Sequence, residues 1–150
     1  MPTAADTTLD PRPRTLNALG AQINISVTSQ ETAGSYAIIE FAIPPNFPGA
    51  PLHFHTHMPE TFRILTGSIE IFTGDQWRTA RPGDTVHVTP GTVHGYRNLS
   101  PEPASFLVVA PGHDAFFFEL IEWMNVEPVW PPANRQALLD FGRRHDTTYV

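Results

Sequence analysis

Five of the seven histidines lie between His53 and His94, and that clustering is the first chemical signal in the chain. A neutral imidazole is the commonest protein metal ligand. His53 and His55 stand two apart in a run that reads as extended, so their side chains leave one face of a strand. Glu60 opens the next extended run beyond a link at 56–59, and if the two strands pair, its carboxylate approaches the same point. His94 follows a Pro90-Gly91 turn and opens a later strand. Three imidazoles and one carboxylate suit one divalent transition metal, whether iron, manganese, nickel, cobalt or zinc. Up to two positions of a six-coordinate ion stay open, and Glu60 can also serve as a base. His57 continues the alternation and reads either as a neighbour of the site at the cavity mouth or as solvent-facing. His87 alternates with Val86 and Val88 and reads as outward or as a support to the site. His113 and His145 lie outside the cluster and read as ordinary polar residues.

The same parity describes a pocket. If Glu60 points inward, so do Phe62 and Ile64, while Tyr96 and Asn98 share the face of His94. Such walls suit a small apolar or aromatic organic ligand better than a sugar phosphate. Arg63 and Arg97 are each one residue out of phase with these faces.

The elements that must position these residues are short. Extended runs at 23–27, 36–43, 52–55, 60–65, 69–72, 85–88, 96–98 and 105–109 are separated by Gly- and Pro-containing turns, including Thr66-Gly67, Gly74-Asp75 and Pro82-Gly83. With 16 Pro and 10 Gly the chain reads as all-β, a sandwich or barrel. The 150 residues suffice for one domain. Residues 1–20 read as an N-terminal arm, 21–112 as the barrel, and 113–150 as a helical segment packed on it. In that segment Asp114 is expected to cap a Phe-rich helix. A second helix is expected after Pro131-Pro132, with Ala137, Leu138 and Phe141 on one face and Gly142 at its end.

Composition removes several chemistries. All nine basic residues are Arg and there is no Cys, which excludes Schiff-base lysines, P-loop lysines, thiolate nucleophiles and disulfides. A net charge of -6 without a basic run argues against nucleic acid or an anionic membrane as partner. No apolar run is long enough to span a bilayer, and the N-terminus lacks the apolar centre of a secretory signal, so a soluble cytoplasmic protein is expected.

The ordered motifs also carry a family resemblance. His53-Phe54-His55, then Glu60 and Gly67, resembles the first motif of the cupin superfamily, and Gly83-Asp84 through Gly91, His94 and Asn98 resembles the second. Fifteen residues separate Gly67 from Gly83, as in short bacterial cupins. Phe47 and Thr89 depart from the pattern, standing where the motifs usually have Gly and Pro. The resemblance implies a double-stranded β-helix, jelly-roll-like, with His53, His55, Glu60 and His94 as metal ligands, and a homodimer. It further implies a metal-dependent enzyme, of which a quercetinase-like dioxygenase acting on an aromatic or enol-type substrate is the leading form. A non-oxidative polyketide cyclase, isomerase or lyase, and a ligand-binding cupin without catalysis, are the alternatives.

Overall fold

The computed structural model describes residues 10–150. Eleven strands and two helices occur among them. In chain order the strands are β1 (Thr15–Ala18), β2 (Ala21–Val27), β3 (Ala37–Ile43), β4 (His53–Phe54), β5 (Glu60–Thr66), β6 (Ile69–Thr73), β7 (Gln76–Ala80), β8 (Thr85–Val88), β9 (His94–Arg97) and β10 (Ala104–Ala110). After helices α1 (Asp114–Val126) and α2 (Arg135–Arg143) comes β11 (Thr148–Tyr149). Strict alternation makes these strands one-faced: Ala37, Ile39, Phe41 and Ile43 of β3 are buried, as are Ala104, Phe106, Val108 and Ala110 of β10.

Two antiparallel sheets result. One has the order β1-β2-β3-β10-β5-β8 and the other β11-β4-β9-β6-β7. Ile25, Ile39, Phe62, Ile64, Ile69, Ile71, Phe106 and Val108 belong to the core, with the Phe41 and Phe106 rings stacked at 4.7 Å. Each such side chain removed from water contributes about 1.5–3 kcal/mol before entropy is counted.

Strand pairing corrects one expectation at the site. Glu60 lies on β5, which pairs with β10 and β8, whereas His53 lies on β4, which pairs with β9 and β11. The carboxylate and the first histidine pair therefore come from different sheets. Within the second sheet His53 and His94 are directly opposed on β4 and β9.

The ends of the chain are more involved than an arm and an appendage. Residues 1–9 of the expected arm lie outside the described residues, but Thr15–Ala18 forms an edge strand whose Leu16 is buried, and Arg14 pairs with Glu31 at 2.6 Å. Asp114 does not cap α1. His113 holds the N-cap position, and the Asp114 carboxylate instead accepts from the Ser29 N–H at 2.8 Å and its hydroxyl at 2.5 Å. Asn134 caps α2, its side chain accepting from the N–H groups of Gln136 and Ala137. Gly142 lies inside α2 and does not end it; a Cβ there would fall 2.5 Å from the Thr147 carbonyl oxygen. That bare backbone lets the chain fold back on α2 and enter the second sheet as β11. The unforeseen strand β7 has little apolar alternation, with only Ala80 buried. No helix among the described residues is long and apolar enough to cross a membrane.

Candidate metal centre

His53, His55, Glu60 and His94 converge. Each offers one ligand atom, and the four atoms lie within 4.8 Å of one another. His55, Glu60 and His94 are buried and His53 is partly so.

The histidines are aimed by their other ring nitrogens. Nδ1 of each lies 2.9 Å from a backbone carbonyl: Pro51 for His53, Asp146 for His55 and Thr92 for His94. Donation of Nδ1–H to these carbonyls leaves Nε2 as the inward-facing atom, the usual arrangement for a metal-binding imidazole. Glu60 Oε2 then sits 3.1 Å from Nε2 of His55 and 2.7 Å from Nε2 of His94. A neutral imidazole has one proton, so with Nδ1–H committed its Nε2 lone pair would face a carboxylate oxygen. A cation among these atoms relieves that opposition, and the donor set fits a divalent first-row transition metal.

Charge follows the same logic. In the metal-free protein a proton relieves the opposition instead: burial opposes ionisation of Glu60, but the hydrogen bonds it then shares with His55 and His94 outweigh burial and hold the carboxyl well below its usual range. Burial likewise opposes a charge on His55, and its hydrogen bond with Glu60 overcomes this and raises the imidazole above its ordinary value. For His53 burial dominates, with His94 adding to it, and the value falls to about 3.

The loop that follows His53 and His55 is held from the far end of the chain. The Asp146 carboxylate accepts from the N–H groups of Thr56, His57 and Met58 at 2.8–2.9 Å. Asp146 adopts a positive φ of 52°, which Asp tolerates better than most residues. The Val150 N–H donates to the Leu52 carbonyl, and β11 pairs with β4. The two motif departures are absorbed locally. Phe47 is buried and bridges to Asn98, while Gly49 supplies the close approach, since a Cβ there would lie 1.6 Å from the Tyr96 carbonyl oxygen. Thr89 closes its turn through its hydroxyl to Thr92 at 3.0 Å, and the Gly91 N–H donates to the His55 carbonyl at 2.7 Å.

A cavity of about 60 Å³ opens beside the cluster. Its walls include Glu60, Phe62 and Tyr96, as the strand faces suggest, together with Phe41 and Val108. Ile64 and Asn98 do not line it. Ile64 is buried one alternation further along β5, and Asn98 is a staple whose amide N–H groups donate to the carbonyls of Pro44 and Glu102. Nor does His57 reach the centre; its side chain is 87% exposed, with Nδ1 3.5 Å from Asp146. His87 hydrogen-bonds Thr61 on the outer face, and His145 pairs with Glu119.

His113 requires correction. It is buried, lines the cavity, and places Nε2 3.7 Å from Glu60 Oε1. Burial lowers it to about 4. Phe116, Phe117, Thr147 and Tyr149 complete the wall from the C-terminal segment. Strand parity on β3 and β10 could have found Phe41 and Val108. No spacing in the sequence ties residues 113–149 to His53, because packing of the C-terminal segment brings them there.

Comparison with known proteins agrees with this architecture. A family model described as the cupin domain matches residues 39–110. Quercetin 2,3-dioxygenase of Bacillus subtilis is 30% identical over 102 residues, covering 68% of this chain and 30% of that protein. An uncharacterised protein of Aquifex aeolicus is 29% identical over 62 residues, covering 41% of this chain and 51% of that one. The chain thus spans about a third to a half of the length of these relatives. Among solved structures, one from Thermotoga maritima described as a predicted oxalate decarboxylase superposes with a TM-score of 0.59 at 18% identity, over 67% of this chain and 91% of that one. The polyketide cyclase RemF from Streptomyces resistomycificus superposes with a TM-score of 0.55 at 24% identity, over 68% and 70%. With two antiparallel sheets, both ordered motifs in place and the cupin-domain match across the strands that carry them, residues 39–110 of this chain form a cupin domain.

Proposed function

We propose that this protein is a metal-dependent enzyme in which His53, His55, Glu60 and His94 hold one divalent transition metal and Glu60 doubles as a proton acceptor. The observation that carries this reading is the meeting of imidazole Nε2 atoms and a buried carboxylate around one point, with each histidine oriented by its Nδ1 contact. A metal bound there supplies Lewis-acid polarisation of a substrate oxygen and open positions for a second ligand. Glu60, ionised at neutral pH, takes a proton from an acidic hydroxyl brought beside it. Burial and the Glu60 charge raise Tyr96, whose protonated hydroxyl acts as a donor and not as a base. The aromatic walls exclude water and favour an organic substrate.

The leading form is a dioxygenase acting on a small enol-type molecule, a reading supported by the similarity to quercetin 2,3-dioxygenase. A cavity of about 60 Å³ accepts a few heavy atoms, so an aromatic substrate of several rings requires the C-terminal wall to move. That size also favours a second reading, non-oxidative isomerase, lyase or cyclase chemistry, which needs room for one small molecule without dioxygen.

The test is metal analysis of protein purified without added metal, then dioxygen uptake by iron-, manganese-, nickel- and cobalt-loaded protein with flavonols, catechols and small enols. Coupled loss of substrate and dioxygen supports the first form. Substrate turnover without dioxygen uptake moves the assignment to the second. In Glu60→Gln, turnover per bound metal should fall about a hundredfold or more. Full activity per bound metal removes Glu60 from the chemistry.

A further inference from the structure

His53, His55 and His94 each place Nδ1 against a carbonyl, but His113 has no such tie. Its side chain is 8% exposed, its Nδ1 is buried without a hydrogen-bond partner, and its Nε2 stands 3.7 Å from Glu60 Oε1, beyond hydrogen-bond reach. Glu60 meets His55 and His94 through Oε2, so Oε1 is the oxygen turned towards His113. The imidazole packs against other rings, with Phe117 at 5.0 Å, His55 at 5.4 Å and Phe116 at 5.7 Å, and none of these contacts is a hydrogen bond. Buried polar groups are nearly always paired, and an unpaired one calls for a specific partner. His113 also borders the cavity, where the chain supplies no Arg or Lys to the wall.

We propose that His113 binds the molecule that occupies this cavity, hydrogen-bonding one of its oxygens in front of Glu60. The occupant is a small enol or hydroxy-carbonyl compound: an oxygen for His113 and an acidic hydroxyl within reach of Glu60 Oε1 satisfy both polar groups, and the rest of the molecule meets Phe41, Phe62, Phe116 and Phe117. This assignment rests on the metal-centre reading above and adds the residue that selects and orients the ligand. A purely structural histidine at the start of α1 would have at least one ring nitrogen paired within the protein.

The test uses the full chain loaded with cobalt and, as probe, acetohydroxamate, a compact two-oxygen ligand followed through the visible spectrum of the ion. Cobalt affinity is measured first, and H113F and H113Q should match the parent within about twofold. Acetohydroxamate should bind H113F about tenfold more weakly, the loss expected for one hydrogen bond. H113Q, which keeps an N–H donor, should recover binding to within about threefold of the parent. Equal acetohydroxamate binding by H113F and the parent overturns the proposal. A fall in cobalt affinity that accounts for the whole loss also overturns it, making His113 a support for Glu60. A parent that takes up no cobalt overturns both this assignment and the metal centre, so the two failures are distinct. One measurement needs no substitution: in zinc-loaded parent protein, long-range proton–nitrogen spectra should show a His113 ring nitrogen shifting when acetohydroxamate is added. An unmoved His113 signal overturns the proposal even if the variants fail to fold.

Discussion

Each histidine of the cluster is fixed by an outer Nδ1 against a carbonyl and turns its inner Nε2 towards the other donors. Replacing His53, His55 or His94 by Ala should therefore strip most metal from protein dialysed against a weak chelator, while His57→Ala should leave it in place; elemental analysis decides. Protons compete for the same nitrogens, so metal affinity should fall with pH. The metal-free protein should respond in the same direction. His53 at about 3 and His113 at about 4 lie below the unfolded value of about 6.5, so the unfolded chain takes up protons first. Their contribution is in place above about pH 6.5 and is lost as pH falls towards 4. His55 is raised and acts oppositely, its contribution full at low pH and fading as pH rises through its folded value. Two lowered groups outweigh one raised group, and the thermal midpoint of metal-free protein should drop by several degrees between pH 7 and about pH 4.5. A midpoint that rises over this range contradicts the balance.

At the level of elements, the C-terminal return supports the loop that follows His53 and His55. One carboxylate, Asp146, collects three consecutive N–H groups from residues 56–58, and its own carbonyl receives His55 Nδ1–H. The three N–H bonds hold Asp146 below its ordinary value despite partial burial, so it is ionised at neutral pH. Asp146→Asn keeps the tolerance for positive φ but loses the charge and one acceptor oxygen. Metal affinity, measured by competition with a chromogenic chelator, should fall about tenfold, the lower end for a partner that orients a ligand. The same variant should melt within a few degrees of the parent in the metal-free state. Unchanged affinity would show that β11 pairing alone holds the loop.

For the whole molecule the open question is its sheet edges. Among the described residues, β1 and β8 end one sheet and β11 and β7 end the other. β11 has two residues and β8 four, and on β7 Trp77 lies beneath the Arg97 guanidinium at 3.8 Å. Among the described residues β1, as short as β8, has no such aromatic cover and directly follows the N-terminal segment, and uncovered edges are commonly paired. We predict a homodimer joined through this edge or the segment preceding it. Light scattering at micromolar concentration should return twice the 16.6 kDa chain mass, and a single-chain mass rejects the prediction.

The strands were legible where alternation was strong: β3, β5 and β10 read as one-faced runs because every second residue faces a common core. The four donors were legible for a related reason, since residue type and spacing restrict what chemistry they can do together. Turn residues announced Gly67, Gly83 and Gly91, all at positive φ. Other features had no local signature. β1 and β7 carry too little alternation, and β11 has only two residues, so their pairing with neighbours defines them. His113 read as an ordinary polar residue and Asp146 carried no signal, because nothing within several residues of either marks a role. Their positions depend on α1 docking against β3, the Thr147 carbonyl fitting over Gly142, and β11 pairing with β4. Residue type and motif spacing determined which side chains could bind a metal, since spacing acts within a strand or turn; long-range packing decided what surrounds those donors, because part of the cavity wall comes from segments about sixty residues and more from the first motif.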